Sequence, residues 1–167
     1  MCALARSHGV ARWLLRLPGA RSALIALRLL YVHLVLRRQA RRDPRGFCVD
    51  GRGQPIPWLT YPAIDYVSGL DFSDCRVFEF GVGSSTLFWS ARAKTVAGVE
   101  MDRQWFEKIE NLALPNVALR YCGDGGQYPR EIDSFNDGFD LIIVDGAERY
   151  RSAQAALARL NPGVTCA

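Results

Sequence analysis

Four carboxylates stand at or directly after apolar segments of the chain, at Glu79, Glu100, Asp124 and Asp145. A carboxylate accepts hydrogen bonds from hydroxyl and amino groups and attracts cations. Glu100 lies about 20 residues beyond the start of a glycine turn, where an acid can bind both hydroxyls of a ribose. Asp124 is placed to accept from an adenine amino group, and Glu79 and Asp145 could face a cationic part of the same ligand. The spacing indicates a site for a small molecule that contains a nucleoside.

The first of these acids is followed by a glycine turn. The segment 76–85, RVFEFGVGSS, places an apolar run around the acid and then Gly81 and Gly83. Ser84 to Thr86 open the apolar helical run that comes next. Glycine lets the backbone turn sharply and approach a ligand closely, and a helix N-terminus favours acidic or electron-rich groups. We therefore predict that this turn holds one end of an adenosine-containing cofactor.

The elements that must position these residues alternate between strand and helix patterns. Continuous apolar runs that alternate with helices are typical of a parallel sheet covered on both faces, with right-handed crossovers. In such a sheet the carboxyl ends of the strands form the ligand crevice. We predict an α/β fold, a Rossmann-like doubly wound parallel sheet of four strands with an N-terminal helical extension. The predicted strands are 77–80, 95–100, 117–122 and 140–144, the helices are 84–92, 103–111 and 151–160, and 128–137 is a loop or short helix.

A proline-rich stretch precedes the sheet and leads into a further helix. Pro62 can occupy the first turn of that helix, and Thr60 could cap it. Trp58 and Tyr61 flank this start. Two interpretations of these aromatic side chains stay open: they roof a cofactor pocket, or they seal a helix against the sheet.

The N-terminal segment differs in charge from the rest of the chain. Residues 1–42 contain nine arginines and no acidic residue, so they carry +9, and the remainder carries −5 because the net charge is +4. The apolar stretch 23–36 is interrupted by Arg28 and His33 and is too short to span a bilayer. Its helical spacing predicts either an interfacial helix on an anionic membrane or a helix that packs on the domain or on a second subunit. We predict a basic helical segment at 1–44 and a Rossmann-like domain at 45–167.

The remaining composition narrows the classes of partner. The acidic domain has no basic groove with interleaved aromatic residues, which argues against nucleic-acid binding. The five cysteines, at positions 2, 48, 75, 122 and 166, are scattered and form no CxxC pair. This pattern argues against a disulfide framework and against a zinc site, and it favours reduced thiols in the cytoplasm. No metal ligands are assigned, although Asp145 could equally serve as one. Association with a membrane surface through the N-terminal segment is left open.

The ordered motifs resemble those of a known family. EFGVGSST at 79–86, VAGVE at 96–100, Gly-Asp at 123–124 and DLIIVDGAERY at 140–150 are similar to class I S-adenosylmethionine-dependent methyltransferases, in particular to small bacterial members. The resemblance covers about residues 55–163. It implies that S-adenosylmethionine is the cofactor and that it is bound by Glu79, Gly81, Gly83, Ser84, Thr86, Glu100 and Asp124.

The chain departs from the family pattern in two places. Glu148 stands where the family often has histidine, and both histidines of the chain, His8 and His33, lie in the N-terminal segment. The family's sheet continues with a fifth strand, whereas this sequence stops shortly after its fourth predicted strand. We therefore expect either a C-terminally truncated chain or a partner, such as a second copy, that covers the edge of the fourth strand.

The resemblance implies attack of a substrate oxygen, nitrogen or carbon on a sulfonium methyl group, with a small-molecule or glycan-type acceptor. Asp145 and Glu148 are the candidates for a general base. Two alternatives stay open. A nicotinamide-dependent oxidoreductase would need a third glycine where Thr86 stands, and a non-catalytic cofactor-binding or partner-binding module would need no base.

Overall fold

The computed structural model describes residues 19–32 and 41–162, and the chain divides into two units, Met1–Arg41 and Arg42–Ala167. In the first unit, helix α1 spans Ala20–Leu30, and Tyr31 and Val32 continue it. The rest of the predicted apolar stretch, 33–36, lies outside the described residues, as do both histidines and the cysteines at positions 2 and 166. No helix in 19–32 or 41–162 combines the length and the apolar character that a bilayer crossing requires.

The next element along the chain is a small hairpin. Strands β1 (Arg41–Arg42) and β2 (Cys48–Val49) form a two-stranded sheet. Helix α2 (Tyr61–Ser68) follows and carries Pro62 in its first turn, as predicted. Thr60 does occupy the N-cap position, but its side chain makes no capping hydrogen bond, so that part of the prediction is wrong.

The main sheet has four parallel strands, which confirms the α/β, Rossmann-like fold class. Its order is β5-β4-β3-β6, so the chain first steps outward from β3 and then returns to its other side. The strands are β3 (Arg76–Phe80), β4 (Thr95–Glu100), β5 (Val117–Tyr121) and β6 (Leu141–Val144). The connections carry α3 (Ser84–Ser90), α4 (Arg103–Glu110), a 3₁₀ helix (Tyr128–Ser134) and α5 (Arg149–Leu157).

The core lies on both faces of β3 and β4, which explains why their sequences are mainly apolar apart from Glu79 and the strand ends. On one face, Phe78 and Phe80 pack with Tyr128 and Ile132 of the 3₁₀ helix. On the other, the core residues are Val77, Phe88, Trp89 and Val96. Because both faces are filled, the ends of the strands are where space for a ligand is expected.

The ends of several elements differ from the sequence prediction. Helix α3 ends at Ser90 and not at residue 92, and α5 begins two residues earlier than predicted. Glu148 precedes α5 in a left-handed conformation (φ 47°), which turns the backbone into the helix there. Beside β6, the described residues form one isolated parallel bridge, between Phe139 and Leu160.

Candidate functional site

A cavity of about 600 Å³ lies at the carboxyl ends of β3, β4 and β6. The strand order reverses between β3 and β6, and ligands of open α/β sheets bind at such a switch point. The volume of the cavity is in the range of small-molecule sites. Five of the residues predicted to bind or act on a ligand line this cavity: Gly81, Gly83, Ser84, Glu100 and Asp145.

The two glycines of the turn serve different needs. Gly81 has φ +91°, and a Cβ on it would lie 2.6 Å from the Cα of Gly146 in the loop after β6. The two loops therefore touch at a point where no side chain fits. Gly83 has extended backbone, and a Cβ on it would have no atom within 4 Å. Because Gly83 lines the cavity, it leaves open space there for a ligand.

Glu79 and Thr86 lie beneath this turn and are not part of the cavity lining. Both side chains are completely buried. The Thr86 hydroxyl donates to Glu79 Oε2 at 2.6 Å and accepts the backbone N–H of Gly83 at 3.0 Å. These two hydrogen bonds through the buried Thr86 hydroxyl fix the conformation of the turn. The other oxygen of the carboxylate, Glu79 Oε1, has no hydrogen-bond partner.

The electrostatic state of Glu79 follows from this burial. Removal from water raises the pKa of the carboxyl from 4.5 to about 7, and the negative charge of Asp145 acts in the same direction. Interactions with the side chains of Thr86 and Ser85 oppose the rise because they stabilise the ionised form. Near neutral pH, Glu79 is therefore a mixture of the protonated and ionised forms.

Glu100 fixes the same turn from the side. Its Oε2 accepts the N–H of Val82 at 2.8 Å, and its Oε1 accepts the N–H groups of Met101 and Asp102, each at 2.8 Å. A carboxylate offers about four acceptor positions, so in this conformation Glu100 has about one left for a ribose hydroxyl. The structure therefore gives Glu100 a holding role that the sequence pattern did not indicate.

Asp124 and Glu148 lie outside the cavity lining. Asp124 is exposed, and its Oδ1 accepts the N–H of Gly126 at 2.7 Å in the loop before the 3₁₀ helix. Glu148 is exposed and forms a 3.7 Å ion pair with Arg151. The sheet therefore does not bring all of the predicted acids to one cavity, and the adenine role of Asp124 stays a prediction.

Asp145 does line the cavity, at the end of β6. Its Oδ1 lies 3.0 Å from Arg149 Nη2, and the side chain is 58% exposed. This ion pair is solvated and weak, so Arg149 leaves the Asp145 carboxylate accessible to a ligand.

The sequence prediction missed several residues that shape the site. Tyr128 is fully buried, and its hydroxyl donates to the carbonyl of Val99 at 3.3 Å, beneath the loop at Gly146. Burial raises its pKa above the usual range, so the hydroxyl keeps its proton. No periodicity around Tyr128 indicates this burial, because it depends on packing against a distant strand.

The approach to the cavity is lined by the hairpin and by aromatic side chains. Trp58 lines it with 78% of its surface exposed, so it does not seal a helix against the sheet. The Arg42 guanidinium lies 5.7 Å from the Trp58 ring centre. The N–H of Cys48 donates to Ser84 Oγ at 2.7 Å, which connects the hairpin to the glycine turn. Tyr61, the other predicted roof residue, begins α2 and lies outside the lining.

The charge of the cavity is mainly negative. Among the described residues that line it, Glu100, Asp102 and Asp145 are acidic and Arg42 is the single cation. Three carboxylates around an open space favour a ligand with positive charge or with hydroxyl and amino donors. Among residues 19–32 and 41–162, no cluster of three or more His, Cys, Asp or Glu side chains has the arrangement of a metal site.

Similarity to known proteins is found among solved structures. No protein-family model matches the chain, and no curated protein matches its sequence. Among solved structures, precorrin-8W decarboxylase from Methanobacterium thermoautotrophicum is similar at 19% identity and a TM-score of 0.53, over 74% of this chain and 68% of that one. An rRNA methylase from Streptococcus thermophilus matches at 15% identity and a TM-score of 0.47, over 64% of this chain and 69% of that one.

A further similar structure is a candidate methyltransferase from Streptococcus mutans in complex with S-adenosylhomocysteine, at 20% identity and a TM-score of 0.45. It is matched over 59% of this chain and 64% of that one. At 19% identity, the likeness to the decarboxylase structure concerns the fold alone. The chemistry has to be argued from the site.

Proposed function

We propose that residues 45–167 bind S-adenosylmethionine in the cavity and form a methyltransferase domain for a small-molecule or glycan-type acceptor. The observation that carries this proposal is the glycine turn at the switch point, which leaves open space over Gly83. Two acids hold that turn, Glu79 through Thr86 and Glu100 through the N–H of Val82. A turn held in place in this way is pre-organised for a ligand, because little conformational freedom is lost on binding.

The residues present fit such a cofactor. The open position at Gly83 admits the ligand close to the backbone, and Glu100 retains an acceptor position for a ribose hydroxyl. The negative charges of Glu100, Asp102 and Asp145 attract the positive charge of a sulfonium group. When bound, S-adenosylmethionine supplies an electrophilic methyl group, and the protein's task is then to align the acceptor with it.

A proton must leave many acceptors during methyl transfer, and Asp145 is the better placed of the two predicted bases. It lines the cavity, whereas Glu148 lies outside the lining. We therefore assign the proton-accepting role to Asp145 and none to Glu148. In this proposal Asp145, which directly follows β6, accepts the proton at the edge of the cavity.

Thr86 argues against the nicotinamide alternative. The third glycine of a dinucleotide fingerprint permits close packing of helix on strand. Here Thr86 fills that position, fully buried, with its hydroxyl bonded to Glu79 and to the N–H of Gly83. A side chain with two structural hydrogen bonds at this point is a different local design from the dinucleotide turn.

Titration calorimetry of the full chain with S-adenosylhomocysteine and with NAD tests the proposal. We expect S-adenosylhomocysteine to bind and Gly83→Val to weaken it at least about tenfold, since the added methyl groups enter the ligand space. Ala118→Val is the matched control, because Ala118 is an exposed strand residue outside this cavity. Binding of NAD alone, equal loss in both variants, or no binding by the folded protein would each overturn the proposal.

A further inference from the structure

Helix α1 exposes an unusual amount of apolar surface. None of its residues is buried, although most of them are aliphatic. Contiguous exposed apolar side chains on a protein surface mark an interaction site. The exposed large side chains, each between 52% and 62% accessible, are Leu24, Ile25, Leu27, Leu29, Leu30 and Tyr31.

The helix is amphipathic. Leu24, Leu27 and Tyr31 recur at the three- and four-residue spacing that places side chains on one face. Arg21 and Arg28 are seven residues apart and share another face. An apolar face flanked by arginines is the pattern of a helix that lies in the interface of a bilayer.

The surrounding charge selects the kind of surface. Residues 1–42 carry nine arginines and no acid, so this segment is attracted to an anionic surface. Contact with nucleic acid would use the arginines but would leave Leu24 and Leu27 in water. A second copy of the segment would bring like charges together. An anionic bilayer satisfies both the arginines and the apolar face.

We propose that α1 lies in the headgroup region of an anionic membrane and recruits the chain to it. The described helix has 11 residues, or about 16 Å, which is about half the hydrocarbon thickness of a bilayer and favours a helix that lies along the surface. In this arrangement Leu24 and Leu27 enter the apolar boundary and Arg21 and Arg28 contact lipid phosphates. The proposal goes beyond the methyltransferase function and does not depend on it.

Vesicle flotation of the full chain at low ionic strength tests this inference. We expect recovery with vesicles of equimolar phosphatidylcholine and phosphatidylglycerol, little with phosphatidylcholine alone, and loss in high salt. Leu27→Glu and Ser22→Glu each add one negative charge at an exposed position, so each loses about fivefold in affinity. Leu27→Glu also removes an inserted side chain, so it loses about tenfold more than Ser22→Glu.

Each other outcome overturns the proposal. Equal loss in the two variants means that only charge contributes, and equal binding to neutral vesicles means that charge does not. Absence of flotation in a folded protein removes the membrane altogether. Tight binding of labelled duplex DNA without vesicle binding assigns the arginines to nucleic acid. Dimerisation that Leu27→Glu abolishes, measured by light scattering without vesicles, assigns the apolar face to a second copy.

Discussion

Glu79 gives a prediction that follows directly from burial. It is a completely buried carboxyl with one oxygen bonded to Thr86 and the other without a partner. Glu79→Gln keeps the shape and the acceptor for the Thr86 hydroxyl while it removes the titration. We expect this substitution to change how the free energy of unfolding depends on pH, and not merely its value at one pH.

The magnitude follows from the pKa. Burial raises the pKa of Glu79 from 4.5 to about 7 in the folded state. The folded protein therefore binds the proton more tightly than the unfolded chain does. The resulting stabilisation is fully present below about pH 4.5 and is lost as the pH rises through about 7. At 1.36 kcal/mol per pH unit, the loss amounts to about 3 kcal/mol.

Urea unfolding of the wild type and of Glu79→Gln, followed by tryptophan fluorescence between about pH 4.5 and pH 8, measures this effect. The difference in unfolding free energy between the two proteins cancels the other titrating groups. We expect that difference to move by about 3 kcal/mol in favour of the variant as the pH rises. Most of the change falls below about pH 7.

Glu107→Gln is the matched control, because Glu107 is 55% exposed on α4 and its ion pair with Arg103 is solvated. Its difference from the wild type is expected to stay small over the same pH range. A Glu79→Gln difference that is independent of pH would refute the reasoning, since it would mean that water reaches the carboxylate. A difference of the opposite sign would mean that the ionised form is stabilised inside the protein.

Two further substitutions test the turn and its neighbour by thermal and urea unfolding. Gly81→Ala is expected to lower the free energy of unfolding by about 2 kcal/mol or more, because φ is +91° and the new Cβ would lie 2.6 Å from the Cα of Gly146. Gly83→Ala is the control, because a Cβ at that position meets open space. Equal losses in the two variants would contradict the argument. Asp102→Ala is expected to lower the free energy of unfolding by about 1 kcal/mol, because Asp102 caps α4 by accepting the N–H of Gln104 and of Trp105. Asp102→Asn is expected to lose less stability. An unchanged melting temperature of Asp102→Ala would show that the cap contributes nothing.

Much of the fold could be predicted because its signals are local. Each of the four strands was predicted within one residue at either end, since a buried strand is a short apolar run between turn residues. Asp102 directly precedes α4 and caps it, as aspartate commonly does at the start of a helix. The predicted start of α5 was wrong because the helix begins after a residue in the left-handed conformation, Glu148. Glutamate rarely adopts that conformation, so the sequence does not indicate it.

The candidate site was harder to predict than the fold. Sequence order correctly indicated that the ends of β3, β4 and β6 meet at one cavity. It gave no means of telling a cavity residue from a supporting one, so Glu79 and Thr86 were expected at the ligand and lie beneath the turn instead. Asp124 follows its strand like the others, yet it remains exposed in a loop outside the lining.

The sequence by itself determined the alternation of strands and helices, the glycine turn and the position of the acids along the chain, because these depend on neighbours a few residues away. Only the tertiary structure decided which carboxylate is buried, which holds the turn and which faces the cavity. Those outcomes depend on contacts between distant segments, such as Glu100 with the N–H of Val82 and Gly81 with Gly146. A side chain's distance from water is set by everything that packs around it, and no local pattern encodes that.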